Sequence, residues 1–174
     1  YYFVIDADDI FIGNKPILNN SSIDAYYIEI KYNNISYKRT QLFNSKYNWE
    51  YIGVLHEYAK CDKYPLIKST VKNCYIEANT VGERSKNKNK YKNDAEILLQ
   101  GIKDEPNNER YYFYLANSYY DDKDYKNAKF YYYRRIEMKG WEEEVYYSMY
   151  KLALCKQKLQ ITVSFEEVLY DFLK

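Results

Sequence analysis

The apolar residues of this chain change their spacing near Asp94, and that change divides it into a sheet-forming part and a helix-forming part. Before the change, residues 22–32 alternate, with Tyr27, Glu29 and Lys31 opposed to Ile28, Ile30 and Tyr32, as in a half-exposed strand. Asn33-Asn34 then predicts a hairpin turn into a second strand over 35–43. Apolar stretches over 49–51, 52–58 and 71–78 follow, the last of them a further strand. Residues 1–5 form an unbroken apolar run, Tyr-Tyr-Phe-Val-Ile, which predicts a fully buried strand closed abruptly by Asp6-Ala7-Asp8-Asp9. Because the chain opens inside that run, the expectation is of a fragment whose upstream part lies outside this sequence. The polar, lysine-rich stretch 79–93 reads as a loop between two architectures. After it, Ala95, Leu98, Leu99 and Ile102 fall at i, i+3, i+4 and i+7, and Pro106 stops the helix. The predicted fold class is α/β over residues 1–92 followed by all-α over 93–174.

The helical part carries a finer signal. Tyr112-x₂-Leu115-Ala116-x₂-Tyr119 is followed by Ala128-x₃-Tyr132, and Gly140 lies 34 residues after Pro106. This resembles the tetratricopeptide repeat, whose 34-residue unit buries large residues at these offsets and places a small one where two helices cross. A fainter third unit has Tyr146 and Met149 one period after Tyr112 and Leu115. The tail closes with a capping box, Ser164-Phe165-Glu166-Glu167, and an apolar face of Phe165, Val168, Leu169 and Phe172. Such a module serves either as packing or as a groove for a protein partner.

Composition narrows the function classes. With 26 basic and 25 acidic residues the net charge is +1, which gives no electrostatic case for nucleic acid. No apolar run approaches the ~20 residues of a transmembrane helix, and no signal peptide is visible. Cys61, Cys74 and Cys155 are an odd, widely spaced set, suited to free thiols in a reducing, cytoplasmic compartment. The 25 tyrosines, with abundant Lys, Asn and Ile, match the codon bias of an AT-rich genome.

The chemistry-bearing residues come first in the chain. Asp6 and Asp8, spaced i, i+2 after an apolar strand, present two carboxylates to one small volume. Hard divalent cations take such oxygen ligands, with substrate phosphates completing the shell. A solvated acidic turn is the plainer account of the same residues. His56 is the only histidine, which excludes a multi-histidine zinc site.

Several segments in order resemble the inverting, family-2 type glycosyltransferases of the GT-A fold. They are Val4-Ile5-Asp6-Ala7-Asp8-Asp9, then Arg39-x₂-Leu42-Phe43, then Trp49-x₃-Gly53-Val54-Leu55-His56-Glu57. Gly82-x-Arg84-Ser85, Lys90-Tyr91-x₂-Asp94 and Glu105-Pro106-x₂-Glu109-Arg110-x₂-Phe113-Tyr114-Leu115-Ala116 resemble the subset with a helical-repeat extension. The resemblance implies a partial GT-A (Rossmann-like) domain and a nucleotide-sugar donor, with a glycan or protein as acceptor. It implies Mn²⁺ or Mg²⁺ held by Asp6 and Asp8 of an Asp-x-Asp motif, with His56 completing the metal or phosphate shell. Glu57 becomes the general base, with Glu50 and Asp9 as competitors. Trp49 is placed to stack on a sugar or to join the core. Arg39 is placed to contact phosphate or to form a strand-face ion pair, and Arg84 to grip phosphate or to belong to a solvated run. The strands that hold the nucleotide in this fold precede the metal motif and have no counterpart here. The rival expectation is a non-catalytic interaction protein that works through its helical repeats and keeps the sheet as a remnant.

Overall fold

A computed structural model describes residues 1–18, 20–79 and 87–160. The chain divides into two compact units, one of residues 1–52 and 57–87, the other of Gly53–His56 and the residues from Lys88 onward.

The first unit is built from strands. They are β1 (Tyr2–Phe3), β2 (Ile10–Gly13), β3 (Ala25–Tyr32), β4 (Ile35–Phe43), β5 (Trp49–Ile52), β6 (Tyr58–Cys61) and β7 (Lys68–Glu77). Five form one mixed sheet in the order β1-β4-β3-β7-β2, and β5 pairs with β6 separately. The β3–β4 hairpin matches its sequence pattern: Asn33 takes the positive φ of 51° that the tight turn requires, and the pairing runs from Tyr32↔Ile35 to Ala25↔Phe43. Alternation places Ile28 and Ile30 in the core with Tyr26, Leu42 and Ile76, while Lys31 stays exposed. β7 lies parallel to β3 and antiparallel to β2.

The sheet is curled. Phe3 and Phe11 stand on its two edge strands, and five strands laid flat would hold those edges about 19 Å apart. Their rings instead meet edge-on at 5.5 Å.

One expectation about this unit needs correction. Residues 1–5 are not a fully buried strand. Only Tyr2 and Phe3 form a strand, at an edge of the sheet, and they are 59% and 41% exposed; the Val4 N–H adds one bond to the Gln41 carbonyl. Burial of an apolar run depends on strand order, which its own residues do not encode. Tyr1 and Ile5 still pack on the core, and the Tyr1 hydroxyl donates to the Ile23 carbonyl at 2.7 Å. The opposite edge strand, β2, was not anticipated, because its four residues follow directly on the acidic turn.

The second unit holds four helices among the described residues: α1 (Lys90–Asp104), α2 (Glu109–Asp121), α3 (Tyr125–Glu137) and α4 (Glu142–Lys158). A sheet followed by helices is the α/β-then-all-α order at the coarse level. The start of α1 at Lys90 makes the end of the expected loop helical. That first turn is polar and carries no apolar periodicity to betray it. Each helix packs on the next, and α2 also reaches α4. Leu115, Ala116, Ala128 and Tyr132 are fully buried, so the residues of the 34-residue pattern form the seams between helices. Asp124 caps α3 by accepting from the Asn127 N–H at 3.1 Å. Gly140, with φ of 89°, makes the left-handed exit after α3 at the position where the repeat has proline. No helix among the described residues is long and apolar enough to cross a membrane. Cys61, Cys74 and Cys155 are free, and burial raises the Cys155 thiol pKa to about 11.

Candidate functional site

The acidic motif forms a β-turn. The Asp9 N–H donates to the Asp6 carbonyl at 3.1 Å, so Asp6 and Asp9 are the outer residues and Ala7-Asp8 the tip. Asn79, just past β7, anchors it: its backbone N–H donates to the Asp9 carboxylate and its side-chain amide to the Asp8 carbonyl, each at 3.1 Å. Asp9 is thereby committed to holding the turn, which weakens it as a rival base.

On β4, Arg39 donates to the Asp6 carboxylate at 3.1 Å. The pair is solvent-accessible, and such pairs contribute only about 0–1 kcal/mol. It therefore yields readily to a stronger ligand. The Arg39 Nε–H donates to Gln41 Oε1 at 3.3 Å. Gln41 is buried, and its amide nitrogen has no hydrogen-bond partner among the described residues. An unmet buried donor costs about 1–3 kcal/mol.

Tyr51, on β5, lies within electrostatic reach of these groups and of Glu57. Its hydroxyl pKa is raised, first by burial, while the nearby Arg39 charge lowers it and the Asp6 and Glu57 carboxylates raise it. Asp6, Arg39 and Glu57 therefore share one electrostatic neighbourhood in the sheet unit. Glu57 and Glu50 are exposed. Trp49 is half-buried, its ring 4.9 Å from Phe43 and its indole N–H donated to the Asn44 carbonyl at 2.9 Å. That geometry commits one face of Trp49 to packing.

His56 belongs to the helical unit. Its ring lies on Tyr114 at 3.9 Å with a 12° interplanar angle, and its carbonyl accepts from Arg110. Among the described residues no group of three or more His, Cys, Asp or Glu side chains is gathered as a metal site. Arg84 and the Ser164–Glu167 capping box, with its apolar face, lie outside the described residues. In the helical unit, a groove of about 820 Å³ is lined by Ile136, Val145, Met149 and Leu152, with Glu137 and Lys139 among its polar residues.

Sequence reasoning missed Asp24. It is fully buried at the start of β3 and accepts from Lys63 at 2.6 Å, from the Tyr47 hydroxyl at 2.8 Å and from the Ile67 N–H at 2.8 Å. Burial alone would raise its pKa, but those donors outweigh burial and hold it at about 2. Its partners come from three distant points of the sequence, so no local pattern marked it.

No protein-family model and no curated protein matches the chain.

Proposed function

We propose that the chain carries the metal and acceptor side of an inverting glycosyltransferase that uses a nucleotide-sugar donor. The observation behind this is the Arg39–Asp6 ion pair, with Glu57 within electrostatic reach of the same Tyr51 hydroxyl, three residues that the resemblance to family-2 type GT-A enzymes assigns to one reaction. The donor set fits Mn²⁺ or Mg²⁺. Two carboxylates on an anchored turn are suited to a cation that takes its remaining oxygens from water and a diphosphate. Asp6 and Asp8 would hold that ion, which supplies Lewis-acid neutralisation of the leaving diphosphate. With Asp6 committed to a cation, Arg39 would be free to take a phosphate oxygen. Glu57, with its carboxylate in solvent, accepts the proton of the acceptor hydroxyl.

The test is calorimetry of the full gene product with UDP and Mn²⁺. Joint Asp6→Ala and Asp8→Ala substitution should weaken Mn²⁺-dependent UDP binding by more than about tenfold, the range for disturbing even the outer shell of a metal. Glu57→Gln should leave that binding intact and lower sugar transfer by about 10²–10⁴-fold. Unchanged affinity in the double-alanine protein would overturn the reading. The groove beside Met149 and Leu152 favours the second reading, an interaction protein working through tetratricopeptide-like helices. A wild-type protein that binds neither UDP nor Mn²⁺ would move the balance to it.

A further inference from the structure

We propose that Tyr114 and Arg110 of α2 are positioning residues for His56, holding its backbone and its ring in one orientation. The proposal rests on the transferase reading, in which His56 completes the metal or phosphate shell and Glu57 is the general base.

The segment Gly53–His56 joins β5 to β6 in the chain but packs as part of the helical unit. Leu55 is buried in one cluster with Ala95, Leu98, Tyr111 and Leu115. Val54 approaches α1 so closely that a Cβ at Gly101 would lie 2.8 Å from its methyl carbon and 3.1 Å from the Tyr111 ring. A glycine at position 101 is what permits that approach.

His56 then takes a φ of 53°, in the left-handed region that few non-glycine residues enter. A residue in such a conformation persists where its surroundings over-determine it, and two contacts from α2 do so here. The Tyr114 ring stacks on the imidazole at 3.9 Å. Arg110 Nη2 donates to the His56 carbonyl at 3.4 Å and to the Tyr114 hydroxyl at 3.0 Å, tying backbone and ring together. The guanidinium also lies over the Tyr114 ring at 5.2 Å. Arg110 is in turn fixed from behind, because its Nη1 donates at 3.3 Å to Glu144, a buried carboxylate of α4 that also accepts from the buried Arg135. His56 is thus held by α2, and through Arg110 by α4.

The chain has one histidine, so its imidazole gives a single set of proton resonances in a histidine-labelled NMR sample. In the 174-residue chain those resonances should carry the upfield displacement of a proton held over an aromatic face. Tyr114→Ala should move them to the positions of a free histidine, and Tyr114→Phe should leave them in place. Helical circular dichroism is followed in the same samples, and if Tyr114→Ala loses it, Tyr114→Leu, which keeps the apolar bulk without a ring current, replaces it. Resonances unmoved in a folded Tyr114→Ala or Tyr114→Leu protein overturn the proposal. In the full gene product, Tyr114→Ala should lower kcat for sugar transfer by about 10²-fold, the scale of an ångström-level misplacement, with donor KM unchanged and Tyr114→Phe restoring the rate. An active enzyme whose kcat ignores Tyr114→Ala also overturns it. A wild-type protein without sugar transfer but with the displaced resonances overturns the transferase reading alone.

Discussion

Asp24→Ala is expected to destabilise the sheet unit by about 1.5–3 kcal/mol, the range for losing hydrogen bonds to a charged group. The carboxylate is fully buried and accepts from Lys63, Tyr47 and the Ile67 N–H, so it ties the start of β3 to the turn before β5 and to the chain entering β7. Lys63 can turn to water when Asp24 is removed, but the Ile67 N–H cannot move without moving the start of β7. The pH dependence has a definite sign. The folded pKa, about 2, lies below the ordinary value of 3.8, so the unfolded chain binds the proton more readily. The stabilisation is therefore complete above about pH 4–5 and is lost as the pH falls toward 2. The two tryptophans make the measurement unit-specific, since Trp49 lies in the sheet unit and Trp141 in the helical unit. With the exposed Trp141 changed to phenylalanine, urea unfolding followed by Trp49 fluorescence reports on the sheet alone. A loss below about 1 kcal/mol at pH 7, or the same acid slope with and without Asp24, would show that the bracket is ornamental.

The features legible in the sequence are those whose information is local or periodic. The β3–β4 hairpin was visible because alternation and an Asn-Asn turn act over a few residues. The helical seams were visible because a 34-residue period repeats the same packing problem. What the sequence withheld depends on strand order and on partners far apart. Nothing in residues 1–5 says that β4 would be their only sheet neighbour, and nothing near Asp24 announces Lys63, 39 residues later. At the candidate site, the acidic motif, Arg39 and Glu57 were singled out from their types and order. That Asp6, Arg39 and Glu57 all lie within electrostatic reach of Tyr51 was not, because no pattern marked Tyr51. The placement of His56 was equally hidden, since its segment sits between two strands in sequence and packs with helices. One missed contact did leave a trace: Arg110 and Glu144 are opposite charges 34 residues apart, the spacing singled out in the sequence, and they form a bridge between α2 and α4.

That bridge is part of the pair of contacts on which the helical unit most depends. Glu144 should be its most sensitive charged residue, with Glu144→Ala costing about 3–5 kcal/mol. Glu144 is 4% exposed, and Arg135, which donates to it from Nη2 at 3.2 Å and from Nε at 3.3 Å, is fully buried. Arg135 also donates to the carbonyls of Lys139 and Trp141, so it closes the α3–α4 connection. Those carbonyls offset part of the desolvation of the guanidinium but none of its charge. Removing the carboxylate leaves a buried cation, together with Arg110 stripped of its anchor. The energetic asymmetry supplies the control. Replacing both partners with apolar residues of similar volume, as in Arg135→Met with Glu144→Leu, removes the unpaired charge and should recover most of the loss. Measured by Trp141 fluorescence and helical circular dichroism in a Trp49→Phe background, the double variant should be more stable than Glu144→Ala alone. Because Arg110 bridges Glu144 to the His56 carbonyl, Glu144→Ala should also shift the histidine resonances, and Glu144→Gln, which keeps an acceptor, should shift them less. Equal stability of the single and double variants would mean that Glu144 acts through its packing volume and the helix start, and that Arg110 does not depend on it.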